Sequence, residues 1–208
     1  MDITRHIENL NQRGGRMLTA CDLTAAGTLD IQLQAYLMHA VRRGASIITC
    51  AGPGGTGKTT LLGALLTFLP PASRLVVVDS AAPPAWYQKE AKGIGPVWFL
   101  CHELGRGPYY SYLWGQNAKT FLEAPAGIPG CYIATTAHAD TLEELQDLFR
   151  RHLNTAIPAA GGPDCLILFM AAFPLPRPLP TAGLGQRWRR VVTSIYHLSS
   201  SGRQGEDR

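Results

Sequence analysis

Apolar residues arrive along this chain in short β-branched or aromatic runs, broken by glycine and proline and alternating with stretches of helical period. Ser46-Ile47-Ile48-Thr49-Cys50 is a run of the kind a buried parallel strand uses. Arg74–Asp79, Val97–Cys101, Cys131–Thr136 and Cys165–Met170 are comparable runs, and Arg189–Tyr196 alternates between two faces. Between them lie helical segments. The segment after Asp30 places Leu33, Leu37, Ala40 and Val41 on one face, with Thr28 or Asp30 as cap and Arg42-Arg43-Gly44 as its end. Leu61, Leu62, Ala64, Leu65, Leu66 and Phe68 predict a second helix stopped by Pro70-Pro71, and Tyr112–Glu123 a third. Leu142, Leu145, Leu148, Phe149 and Leu153 predict a fourth, capped by Asp140 or Thr141, with Glu143 placed to close a capping box with Asp140. Strand–helix alternation predicts an α/β fold with a mainly parallel central sheet flanked by helices. Residues 1–28 are polar and without a sustained period, which predicts a lead-in; the folded domain then runs over 29–198 and a disordered tail over 199–208.

Composition agrees with a single packed domain: 208 residues, 46% hydrophobic against 16% charged, suffice for a sizeable core and exclude global disorder. The start of the chain lacks the apolar run of a signal peptide, and no window reaches the ~18 uninterrupted apolar residues of a spanning helix. Five widely spaced cysteines (Cys21, Cys50, Cys101, Cys131, Cys165) read as reduced core residues of a cytoplasmic protein. The net charge of +4 is modest, and its densest part, Arg187, Arg189 and Arg190, reads as the exposed face of an edge strand rather than a nucleic-acid site.

The chemistry concentrates at Gly52-Pro53-Gly54-Gly55-Thr56-Gly57-Lys58-Thr59-Thr60, which matches the phosphate-loop pattern G-x-x-x-x-G-K-[ST] and lies between a strand and a helix as that pattern requires. Glycines let successive N–H groups converge on phosphate, and the positive end of the following helix adds to the attraction. Lys58 is placed for the β- and γ-phosphates and Thr59 for Mg²⁺. Three later strand ends carry candidate partners: Asp79, Glu103 and His138. Glu103 is suited to orient an attacking water and His138 to donate a hydrogen bond to the γ-phosphate.

Taken in order, these stretches resemble the ATPase family of type II and type IV secretion systems and type IV pili, nearest to its type IV secretion branch. The resemblance spans residues 20–197. Asp22–Thr28 resembles the family's linker into the motor domain, Gly57–Leu62 its Walker A segment, Arg74–Asp79 its acidic box, His102-Glu103-Leu104 its Walker B, Thr136–Asp140 its histidine box, and Arg189–Ile195 its closing strand. It implies a RecA-like P-loop domain in a hexameric ring that hydrolyses ATP with Mg²⁺ at subunit interfaces. The ring would lie in the cytoplasm, at the inner membrane face through contacts with membrane-embedded components. By position it makes Lys58 and Thr59 the phosphate and metal contacts, Glu103 and His138 the catalytic pair, and Asp79 a metal or water support. Three departures stand out: Ser80 replaces the second acid of the acidic box, Ala81-Ala82-Pro83-Pro84 follows it, and His102 stands where the family has glycine. A nucleotide-binding scaffold or regulator with weak turnover is therefore the alternative, and a small-molecule kinase would need an arginine-rich lid that 105–130 does not contain. Arg13, Arg16, Arg42, Arg43, Arg74 and Arg106 all remain open as the arginine that completes the site.

Overall fold

In the computed structural model, which describes residues 3–11, 16–107, 111–157, 164–175 and 188–199, the strand runs join into one eight-stranded sheet. Along the chain the elements are α1 (Ile3–Leu10), α2 (Ala20–Ala25), α3 (Ile31–Arg42), β1 (Ala45–Cys50), α4 (Lys58–Leu66), β2 (Arg74–Val77), α5 (Pro84–Ala91), β3 (Val97–Leu100), β4 (Glu103–Leu104), β5 (Tyr112–Leu113), α6 (Gly115–Glu123), β6 (Cys131–Ala137), α7 (Leu142–Asp147), a π-helical turn (Leu148–His152), β7 (Asp164–Pro174) and β8 (Trp188–Leu198). The main path of the sheet runs β2-β3-β6-β1-β7-β8, and every pairing in it is parallel except that of β7 with β8. The mixed α/β fold with a mainly parallel sheet agrees with the strand–helix alternation.

β1 sits at the centre with all six residues buried, which is why its sequence is uninterrupted by charge. Successive residues face opposite sides of the sheet. Ile47, Leu166 and Leu168 therefore join a core with Leu37 and Val41 of α3 and the leucines of α4, whereas Ile48, Ile167 and Phe169 join a second core with Tyr87 of α5, Phe121 of α6 and Leu145 of α7. Each fully buried leucine or isoleucine contributes roughly 1.5–3 kcal/mol relative to exposure. Cys50, Cys101, Cys131 and Cys165 lie in these cores, and burial pushes the Cys101 and Cys165 thiols up to about 12; Cys21 is exposed, contrary to expectation, and all five are unpaired. No helix among the described residues is long and apolar enough to cross a membrane.

Several elements differ from the sequence expectations. Residues 1–28 contain two helices that pack on α4: Ile7 and Leu10 of α1 and Ala20 and Leu23 of α2 belong to the first core. The stripe Ile3-Ile7-Leu10, set among Arg5, His6 and Glu8, is strongly amphipathic, but it lasts only eight residues and so is not sustained along 1–28. Gly63 makes the contact possible, because a Cβ there would lie 2.4 Å from Met17 Cε and 3.3 Å from Ile7 Cγ2. Helix α5 was not anticipated; Pro84 occupies its first turn, where a missing N–H costs nothing. The third helix begins at Gly115, since Tyr112 and Leu113 form β5 instead. At α7 the cap is Thr141, whose hydroxyl accepts from the Glu144 N–H at 3.2 Å, so the box expected between Asp140 and Glu143 does not form. The 199–208 tail, apart from residue 199, and Arg187 lie outside the described residues.

Because Leu23 is buried in the first core, Leu23→Ala should destabilise the protein by about 2–4 kcal/mol in urea denaturation. A loss below about 0.5 kcal/mol, the usual span of surface substitutions, would return 1–28 to a loose lead-in.

Candidate functional site

β1 ends at Cys50, and the chain turns through Gly52–Gly57 into α4. The turn is held from inside: the Thr56 hydroxyl donates to the Pro53 carbonyl at 2.8 Å, and the Thr49 hydroxyl donates to the Lys58 carbonyl at 3.1 Å. Gly57 adopts φ +107° as the residue preceding α4, a conformation that strains any side chain. Lys58 is buried at the helix start and donates from Nζ to the Ala51 carbonyl at 3.1 Å.

Parallel pairing brings the other strand ends to this loop. Cys50 lies opposite Ala137, so residues just beyond β1 and β6 are neighbours. His138 Nδ1 is 2.6 Å from the Gly52 carbonyl oxygen and 3.3 Å from Lys58 Nζ, while its Nε2 is 3.2 Å from Glu103 Oε1. Both the Gly52 carbonyl and the Glu103 carboxylate are acceptors. A neutral ring can donate to one of them, and an imidazolium to both. Glu103 is itself buried, with the Thr136 hydroxyl 3.5 Å from Oε2 and donating to the His102 carbonyl at 2.9 Å. It reaches this position although β3 is not next to β1, because β4 continues β3 and pairs Leu104 with Ala137 of β6.

A cavity of about 900 Å³ opens over the loop. Gly54, Gly55, Gly57, Lys58, Thr59, Thr60, Glu103 and His138 line it. Gly52, Pro53 and Thr56 shape the loop without lining the cavity, and Asp79 is exposed two residues past β2, also outside the lining. Strand order accounts for Asp79: two strands, β3 and β6, separate β2 from β1.

Three residues whose sequence context points to other tasks come to the site. Asp140, taken as a helix cap, accepts from the Gly52 N–H at 2.6 Å, so the loop after β6 holds Gly52 at both its amide and its carbonyl. The signal was the pairing of Asp140 with Thr141, since one cap suffices and the other is left for a second task. His102 Nε2 lies 3.3 Å from the Thr59 hydroxyl; burial, and then the charge of Lys58, push this imidazole from its ordinary 6.5 down to about 4. Arg190, read as an edge-strand surface residue, donates from Nε to the Gly55 carbonyl at 3.1 Å. Of the arginines considered earlier, Arg16 lines the cavity but pairs with Asp22 at 2.9 Å, Arg106 stacks on Trp114 and Arg74 bonds the Glu90 carbonyl. Arg42 and Arg43 close α3, and Arg13 lies outside the described residues.

No protein-family profile and no curated protein matches the chain. Among solved structures it is similar to the VirB11 ATPase from the Brucella suis type IV secretion system, in complex with sulphate, at 17% identity and a TM-score of 0.44. The match covers 88% of this chain and 57% of that one, so the chain spans little more than half the length of that protein. At this identity and score the likeness does not bear on the roles of individual residues, which rest on the geometry above.

Asp140→Ala should remove the acceptor of the Gly52 N–H and lower stability by about 1 kcal/mol in urea unfolding, while Asp140→Asn, which keeps an oxygen there, should lose less. Equal losses would show that this bond does not hold the loop. For His102, the unfolded chain binds more protons than the folded one between pH about 4 and 6.5, so stability should be complete above pH 6.5 and fall as pH drops toward 4. Melting temperatures of the wild type and His102→Asn between pH 4.5 and 7.5 check this: the wild-type slope in that window should flatten in the variant.

Proposed function

We propose that this chain binds ATP at Gly52–Thr60 and hydrolyses it, as the motor domain of a secretion, conjugation or pilus-assembly machine. The observation that supports this reading is the chain of contacts Glu103–His138–Lys58 on the floor of one cavity with the loop glycines. Phosphate would lie on the N–H groups that precede α4, where the helix dipole favours negative charge. Lys58 would exchange the Ala51 carbonyl for phosphate oxygens, and His138, tied to both Glu103 and Gly52, would sense whether a γ-phosphate is present. Glu103 would orient the attacking water from its buried position beside Thr136.

Within the cavity Mg²⁺ would be held by the Thr59 hydroxyl and by Glu103, whose carboxylate lies in the lining, whereas Asp79 is outside it. When bound, the ion would neutralise charge on the β- and γ-phosphates. We further propose assembly into a hexamer in the cytoplasm, held at the membrane by protein contacts, with movement following loss of the γ-phosphate contact. A second reading, a nucleotide-binding scaffold with little turnover, is favoured by one observation: the acidic-box residue Asp79 does not join the site.

Steady-state ATP hydrolysis at concentrations where oligomers form separates the two. Glu103→Gln should reduce turnover by about a hundredfold or more with binding retained. Lys58→Ala should abolish nucleotide binding under either reading, and binding that survives it would refute the assignment of the loop. Tight ATP binding by the wild type with no turnover in any oligomeric state would leave the scaffold.

A further inference from the structure

Arg190 approaches the phosphate loop from the side of β1 opposite to His138, and the proposed hydrolysis by Glu103, His138 and Lys58 leaves it without a task. Its position follows from an overhang. β7 pairs with β1 only as far as Phe169 but continues to Pro174, and β8 pairs with that extension from Trp188↔Pro174 to Val192↔Met170. The two strands therefore project past the sheet as an antiparallel arm beside the loop. A register shift between Phe169 and Met170, with the Thr193 hydroxyl donating to the Phe169 carbonyl at 3.2 Å, fixes which β8 residues face it. Val192 then packs on the core that contains α4, and Arg190, two residues away on the same side, lies across Gly55 and Gly57. A Cβ on Gly57 would stand 3.3 Å from Arg190 Cδ.

Only Nε is engaged. Among the described residues no carboxylate pairs with Arg190 and no bond of its terminal nitrogens is found, although the side chain lines the cavity. An exposed cation held by a carbonyl of a phosphate loop has a specific chemical meaning. The Gly55 bond fixes the plane of the guanidinium in advance, and the terminal N–H groups keep the fork that matches two oxygens of a phosphate.

We infer that Arg190 is the guanidinium that grips the phosphate tail of the bound nucleoside triphosphate, supplied by the same chain rather than by a neighbour. It rests on the reading that the loop holds a nucleotide. Its contribution is selectivity: it distinguishes a triphosphate from a diphosphate, because the added charge and oxygens of the third phosphate are what a second cation beside Lys58 recognises.

The test is titration calorimetry of the full chain with a non-hydrolysable ATP analogue and with ADP, for the wild type, Arg190→Gln and Arg190→Lys. The glutamine variant keeps a donor for Gly55 but loses charge; lysine keeps charge but loses the Nε bond. Arg190→Gln should weaken the triphosphate analogue by about tenfold or more and ADP by no more than about threefold, with lysine recovering part of the loss. An equal loss for both nucleotides, or glutamine binding better than lysine, would make Arg190 a structural peg on Gly55 and overturn the inference while leaving the nucleotide site intact. A wild type that binds neither nucleotide would overturn the nucleotide site itself, and this inference with it.

Discussion

The parallel pairing of β1 with β6 is the contact on which the rest of the site depends. It sets Cys50 opposite Ala137, and from that register Gly52 is obliged to meet His138 and Asp140. Slippage by one residue would turn every side chain to the other face and exchange the two cores, so the register is held by all the apolar surface on both sides of the sheet. The position of a few polar atoms at one edge is thus secured by hydrophobic burial well away from them. Parallel strands with helices on both faces are the architecture in which that transfer is strongest, because no strand of the central group has a solvated side to compromise.

Electrostatics at the site follow from the same burial. Burial depresses the affinity of His102 for a proton, and the charge of Lys58, enclosed at the start of α4, adds to it; the Lys58 ammonium also lies against one nitrogen of His138. His102 and His138 therefore occupy different environments although both follow apolar strands. His102 is packed between Thr59 and Tyr112, whereas His138 is half open to the cavity and bridges a carbonyl and a carboxylate. A buried imidazole beside a lysine is kept neutral.

Much of this was legible along the chain because it depends on local pattern: the apolar runs of β1, β3, β6 and β7, the Asp30 cap of α3, and a loop whose glycines are read directly as conformation. What escaped depends on arrangement. Strand order cannot be read from a strand's own residues, so Asp79 looked equivalent to Glu103 although β2 is three strands from β1 and Glu103 is carried inward by β4. Arg190 looked like edge-strand decoration because neither the antiparallel direction of β8 nor the overhang of β7 leaves a mark in composition. Helix α1 escaped through its length: its apolar stripe is clear, but eight residues with three buried are about two turns, too few to be a sustained pattern.

From Leu61 onward helix α4 has no solvent-facing side: Leu61, Leu62, Gly63, Ala64, Leu65 and Leu66 are all buried, with α1 seated over Gly63. A shaft gripped around its whole circumference can neither roll nor slide without opening a void on one side and a clash on the other. The floor of the Gly52–Gly57 loop is thereby a fixed datum, with His138 on one wall and Arg190 on the other. Any stroke of the proposed motor would then be measured between those two walls, with the helix that begins at Lys58 as the part that stays still.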